Sequence, residues 1–108
     1  MSQASSYGIV SSAFANREDA RRVAGVLLAE KLAACVQLMD IESHYAWKGM
    51  IRHEPEVMLL AKTRSELFPR AIERIKALHP YETPEIVAQS FSAGFAPYLD
   101  WIRAETKD

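Results

Sequence analysis

Apolar and polar positions along this chain change period repeatedly, and each change marks the edge of an element. Tyr7, Ile9 and Val10 stand at strand-like density within Tyr7 to Phe14, which predicts a first strand. Asn16 then precedes Arg17, Glu18 and Asp19, an N-cap followed by acidic residues where a helix terminus favours negative charge. From there to about Lys31, the residues Ala20, Val23, Ala24, Leu27 and Leu28 recur at helical spacing and predict one apolar stripe. Gly25 lowers helix propensity by roughly 1 kcal/mol, and its missing side chain suggests close approach to a sheet.

The extended pattern resumes over Leu32 to Gln37 and continues through Leu38, Ile41, Ser43 and Tyr45. Lys48-Gly49 supplies a turn after Trp47, and Met50 and Ile51 begin a return arm, so Ile41 to Leu60 predicts a hairpin that projects beyond the rest of the sheet. A long two-stranded arm is marginal in water. Tyr45, Trp47 and Ile51 therefore need a packing partner, and a second copy of the chain is the economical one. Pro55 fits such an arm at a bulge or an unpaired edge position. Val57 to Leu60 is continuously apolar, as an internal strand requires.

Thr63 or Ser65 is the expected cap of a second helix whose stripe is Phe68, Ala71, Ile72, Ile75 and Leu78, with Pro69 in the first turn. Pro80 and Pro84 push His79 and Thr83 out of helical geometry, so the helix should end near Leu78 and the stretch His79 to Ile86 should be a stiff connector. A fourth strand over Glu85 to Phe91, a break at Gly94 and a helix over Ala96 to Thr106 complete the chain. That order predicts an α+β fold, a ferredoxin-like split βαβ sandwich with a four-stranded antiparallel sheet, an extended hairpin between its second and third strands and a short C-terminal helix. A flexible N-terminus over residues 1–6 and a single domain over residues 7–108 follow from the same reading.

Composition narrows the function classes. At 108 residues, 49% hydrophobic and 25% charged, the chain is long enough for one core without a structural metal or disulfide. A net charge of -1 gives no long-range field for nucleic acid or an anionic membrane, so neither is an expected partner. Cys35 is the single cysteine, which excludes an internal disulfide and a multi-cysteine metal site. The segment from Met1 to Ser6 lacks the basic region and apolar core of a secretion signal, so the expected location is cytoplasmic.

Donor chemistry is concentrated in few residues. Cys35 is a soft ligand suited to copper and His79 a borderline one suited to copper or zinc, while Glu82 and Glu85 could complete a cation site if the connector bends. Tyr81 could hydrogen-bond a carboxylate, and Lys62 with Glu56 could form an interface network. His44 and His53 read as surface or interface groups on the hairpin, and Trp47 and Trp101 as interface packing. No His-Glu-x-x-His, paired-cysteine or calcium-loop motif is present, and His79 with Glu82 or with Cys35 are the only pairs in which catalysis could be sought; the chain is read as a non-enzyme without an obligatory cofactor.

Five stretches taken together resemble the CutA family of divalent-cation tolerance proteins: Leu28 to Val36, Tyr45 to Gly49, Leu60 to Thr63, His79 to Ile86 and Tyr98 to Ile102. The resemblance implies a homotrimer whose long hairpins extend sheets across subunit boundaries. It also implies a link with tolerance to copper and other divalent cations; the weak ligand pattern of the residues favours the alternative, a trimeric scaffold or signalling role that binds a small molecule or protein at intersubunit clefts. Some members bring a cysteine from the first strand and a second histidine before the one matching His79; this chain has Ser11 and Ser12 in the first strand and Leu78 before His79.

Overall fold

A computed structural model of the chain describes residues 3–107. Its elements are β1 (Tyr7–Phe14), α1 (Arg17–Ala29), β2 (Cys35–Trp47), β3 (Met50–Arg64), α2 (Phe68–Leu78), β4 (Ile86–Ser90) and α3 (Ala96–Glu105). The strands form one sheet in the order β2-β3-β1-β4 with every neighbouring pair antiparallel. This is the expected split βαβ arrangement. No helix among the described residues is long and apolar enough to cross a membrane.

Alternation along β1 and β3 builds the core. Val10 and Phe14 with Val57, Leu59 and Ala61 meet Ala20, Val23 and Leu27 of α1 and Ala71 and Ile75 of α2, all buried. Each fully buried Val, Leu, Ile or Phe among them contributes about 1.5–3 kcal/mol relative to exposure. A second cluster of Tyr7, Leu99 and Ile102 forms where α3 covers one end of the opposite sheet face. The rest of that face stays partly open, with Met39 and Val87 each 49% exposed.

Several local expectations are corrected. Asn16 caps α1 by accepting from the Asp19 amide at 2.8 Å, as its side chain predicts, but the helix stops at Ala29. Lys31 adopts φ 58, and Leu32 and Lys31 donate to Leu27 and Leu28 carbonyls in a left-handed stop. Leu28 is exposed rather than on the stripe, and no atom lies within 4 Å of a Cβ built at Gly25, so this glycine permits no close approach. Neither Thr63 nor Ser65 caps α2: a short 3-10 turn over Ser65–Leu67 leads into it, and the Ser65 hydroxyl donates to the Ser5 carbonyl instead. That bond helps hold a second 3-10 turn, Ala4–Ser6, inside the stretch expected to be loose. Met1, Ser2 and Asp108 lie outside the described residues.

The hairpin of β2 and β3 runs without a bulge from Cys35 opposite Lys62 to Trp47 opposite Met50. Pro55 sits in register opposite Glu42, where β1 no longer flanks β3 because the β1 ladder ends at Phe14 opposite Val57. The bulge is unnecessary: a proline in a non-hydrogen-bonded pair turns its missing N–H toward the free edge. Lys48 at φ 50 and Gly49 at φ 77 make the two-residue turn with both φ positive, the type that matches strand twist. We expect Gly49→Ala to lower stability by about 1–2 kcal/mol through backbone strain alone, since open space surrounds that position; calorimetric melting would measure it.

Candidate functional site

His79 is the C-cap of α2, placed there because Pro80 holds it extended at ψ 132. Its ring is 8% exposed and stacks on Phe14 with centroids 4.2 Å apart. Nε2 donates to the Ala13 carbonyl at 2.8 Å, and Nδ1 accepts from the Tyr81 amide at 3.1 Å. Both nitrogens are therefore committed within the fold, and the pair of bonds selects the Nε2–H tautomer. Burial lowers its pKa below the ordinary 6.5, partly opposed by the Ala13 carbonyl. A metal bound at His79 would have to displace one of these two internal bonds.

Cys35 opens β2 opposite Lys62, which is itself opposite Ile9. His79 bonds Ala13, four residues further along β1, so the two donors are separated by roughly 13 Å along the strand direction and do not converge. Glu82 and Glu85 are exposed on the connector, and Glu85 contributes its backbone, accepting from the Ser12 hydroxyl at 2.7 Å. Among the described residues, no group of three or more His, Cys, Asp or Glu is arranged to hold a metal ion. No three of the four expected ligands therefore converge within one chain.

The interface candidates do come together, in part. Tyr81 donates to Glu56 Oε2 at 2.9 Å, and Tyr45 donates to Glu54 one cross-strand step away. These two phenol–carboxylate pairs lie along the hairpin base and arm. Burial, then the bond to Glu56, raises the Tyr81 pKa well above the ordinary phenol value, and the bond to Glu54 raises that of Tyr45. Both phenols are therefore neutral donors rather than bases. Arg52 approaches Glu54 at 3.4 Å.

Within one chain Lys62 and Glu56 stand six positions apart on β3, roughly 20 Å, and the Lys62 ammonium lies 5.8 Å from the Tyr98 ring centre. Trp101 stacks on Tyr98 at 5.7 Å and remains 42% exposed, as does Trp47 at 47%.

Sequence reasoning missed three arrangements. Glu54 is the partner of Tyr45, which strand register would have revealed once the Lys48-Gly49 turn was fixed. Arg64 is buried, donating through Nε to Thr106 at 3.0 Å and through Nη1 to Glu66, with Nη2 unpartnered, and no sequence signal marks it. His44 and His53 are directly opposed across the arm, with ring centroids 5.6 Å apart.

The profile of the family described as CutA1 divalent ion tolerance protein matches residues 8–105. A divalent-cation tolerance protein CutA from Thermus thermophilus is 46% identical over 92 residues, covering 84% of this chain and 89% of that protein. A chloroplastic protein CutA 1 from Oryza sativa is 39% identical over 94 residues, covering 86% of this chain and 53% of that protein, so the chain spans about half of its length. The solved structure of a periplasmic divalent cation tolerance protein CutA from Archaeoglobus fulgidus superimposes with a TM-score of 0.90 at 37% identity, covering 94% of this chain and 99% of that one. On sequence and on fold alike, the chain belongs to the CutA1 divalent ion tolerance protein family.

Proposed function

We propose that this chain works as a cytoplasmic, non-enzymatic homotrimer that binds or responds to copper or a related divalent cation. The observation that carries the assembly is the bare hairpin. Beyond Val57 the arm pairs only with itself, and it presents Tyr45, Trp47, Met50 and Ile51 at 37%, 47%, 67% and 79% exposure. Each chain also leaves part of its sheet face open around Met39 and Val87. An arm laid on the open face of the next copy covers both at once, and three copies is the number that the family resemblance implies.

Sedimentation velocity of metal-free protein across a wide concentration range tests this reading. A trimer is the expected species. Replacing Trp47 by Asp would put an unpaired charge in the contact and should shift the protein toward monomer by at least about tenfold in concentration. A wild-type monomer throughout would overturn the proposal.

The same paired phenols and carboxylates favour the second reading, a trimeric scaffold whose intersubunit cleft takes a small molecule or protein. Tyr45, Glu54 and Glu56 of the hairpin and Tyr81 of the connector form a polar row that would need no metal. A trimer that takes up no Cu2+ or Zn2+ in equilibrium dialysis would select it.

A further inference from the structure

We propose that His44 and His53, with Glu42 as a third donor, form a divalent-cation site on the outer part of the hairpin. Its natural occupants are borderline ions, Zn2+ or Cu2+, because two imidazoles and a carboxylate suit these better than Ca2+ or Mg2+. The site gives the cation-binding reading a specific location, and to that extent rests on it; the geometry is independent of Cys35 and His79.

Register supplies the first part of the argument. His44 is directly opposite His53, and Glu42, two residues before His44, shares its face of the strand. The two-residue turn makes Trp47 and Met50 a hydrogen-bonded pair, so alternation makes His44 and His53 a non-hydrogen-bonded pair. Pro55, which has no N–H, occupies a pair of the same kind two steps along and confirms the phase. Such pairs are the closer ones, with Cα atoms about 4.5 Å apart and side chains adjacent.

Distances supply the second part. His44 Nε2 lies 3.2 Å from Glu42 Oε2. A tetrahedral ion with metal–ligand bonds of about 2.0–2.1 Å places neighbouring donor atoms roughly 3.3 Å apart. The ion can therefore replace the contact between this nitrogen and oxygen with little movement of either. The His44 and His53 rings are 27° from parallel with centroids 5.6 Å apart, so the three donors are not closed on one point and do not stand as a ready-made metal-holding group. Side-chain rotation must bring the second ring in, which is open to it because the His44 and Glu42 side chains are 61% and 72% exposed and His53 is exposed too. The remaining neighbours on this face, Ala46, Ile51 and Pro55, carry no charge to oppose a cation.

This pairing also differs from that of His79. There both ring nitrogens are tied to backbone in a buried setting, whereas the hairpin histidines are exposed and His44 Nε2 meets the exposed Glu42 carboxylate. Availability, rather than proximity to the family-like connector, is what favours them.

The test is calorimetric titration of untagged, metal-free protein with ZnCl2, in parallel with histidine ring signals by NMR. His44→Ala and His53→Ala should each weaken Zn2+ binding by more than about tenfold, since even an outer partner of a ligand accounts for 10–100-fold. Glu42→Gln should weaken it less, and Cys35→Ala should leave it unchanged. Ring signals of His44 and His53 should move together in the wild type, and melting curves establish that the variants fold. Unchanged affinity in both histidine variants, or loss confined to Cys35→Ala, would overturn the site while leaving the divalent-cation reading standing. No Zn2+ or Cu2+ binding by the wild type would overturn both.

Discussion

Gly8→Ala is expected to lose at least about 3 kcal/mol, the upper part of the range for overpacking a filled site. A Cβ built on Gly8 would lie 2.0 Å from the Gln89 carbonyl oxygen and 2.7 Å from the Phe68 ring. The first of these is backbone, which no rotamer change can move aside. Gly8 is a fully paired position of β1, opposite Thr63 on one side and Ser90 on the other. Accommodating one methyl group therefore requires β4 to separate from β1, and β4 is a strand of five residues with no second neighbour. A fall in melting temperature of roughly 12–24 °C corresponds to that loss in a domain of this size. Hydrogen exchange should quicken first in Ile86 to Ser90. A melting temperature within a few degrees of the wild type would show that the two strands are not held as closely as this contact indicates.

Neither Gly8 nor its neighbour could be picked out in the sequence, and the reason separates what was legible from what was not. Helix α1 announces itself through Asn16, Glu18, Asp19 and the spacing of Ala20, Val23 and Leu27, all within one stretch of chain. The turn at Lys48-Gly49, the start of α2 at Pro69 and its end before Pro80 are likewise local chemistry. The sheet order puts β1 between β3 and β4, so the atoms that confront Gly8 come from Gln89 and Phe68. The placement of the candidate ligands was hidden for the same reason. Cys35 and His79 are chemically plausible partners until β2, β3 and β1 are laid side by side, which separates them along the strands. The His44–His53 pair follows from the turn by counting outward, but two surface histidines carry no signal until their register is drawn.

His79→Ala should lower stability by about 2–4 kcal/mol, combining lost ring packing with two orphaned backbone groups. The ring fills the space over Phe14, and its removal leaves the Ala13 carbonyl and the Tyr81 amide without the partners that reach them from 66 and 2 residues away. A pH dependence follows from the same geometry. Burial holds the folded pKa of His79 below the unfolded value of 6.5, so between those values the unfolded chain binds the extra proton. Stability from this group is fully present above 6.5 and declines as pH falls toward the folded pKa. Protonation also fills Nδ1, converting the acceptor that holds Tyr81 into a second donor. His79→Gln, which keeps a polar side chain but cannot titrate, should remove that acid-side slope while leaving the slopes from other groups. Urea midpoints measured at fixed protein concentration from about pH 8 to about pH 5 would show it, since that window spans the unfolded histidine value. Equal pH slopes for the wild type and His79→Gln would mean that His79 takes up its proton in the folded state as readily as in the unfolded one, and that the neutral, doubly bonded ring is not what ties the end of α2 to the end of β1.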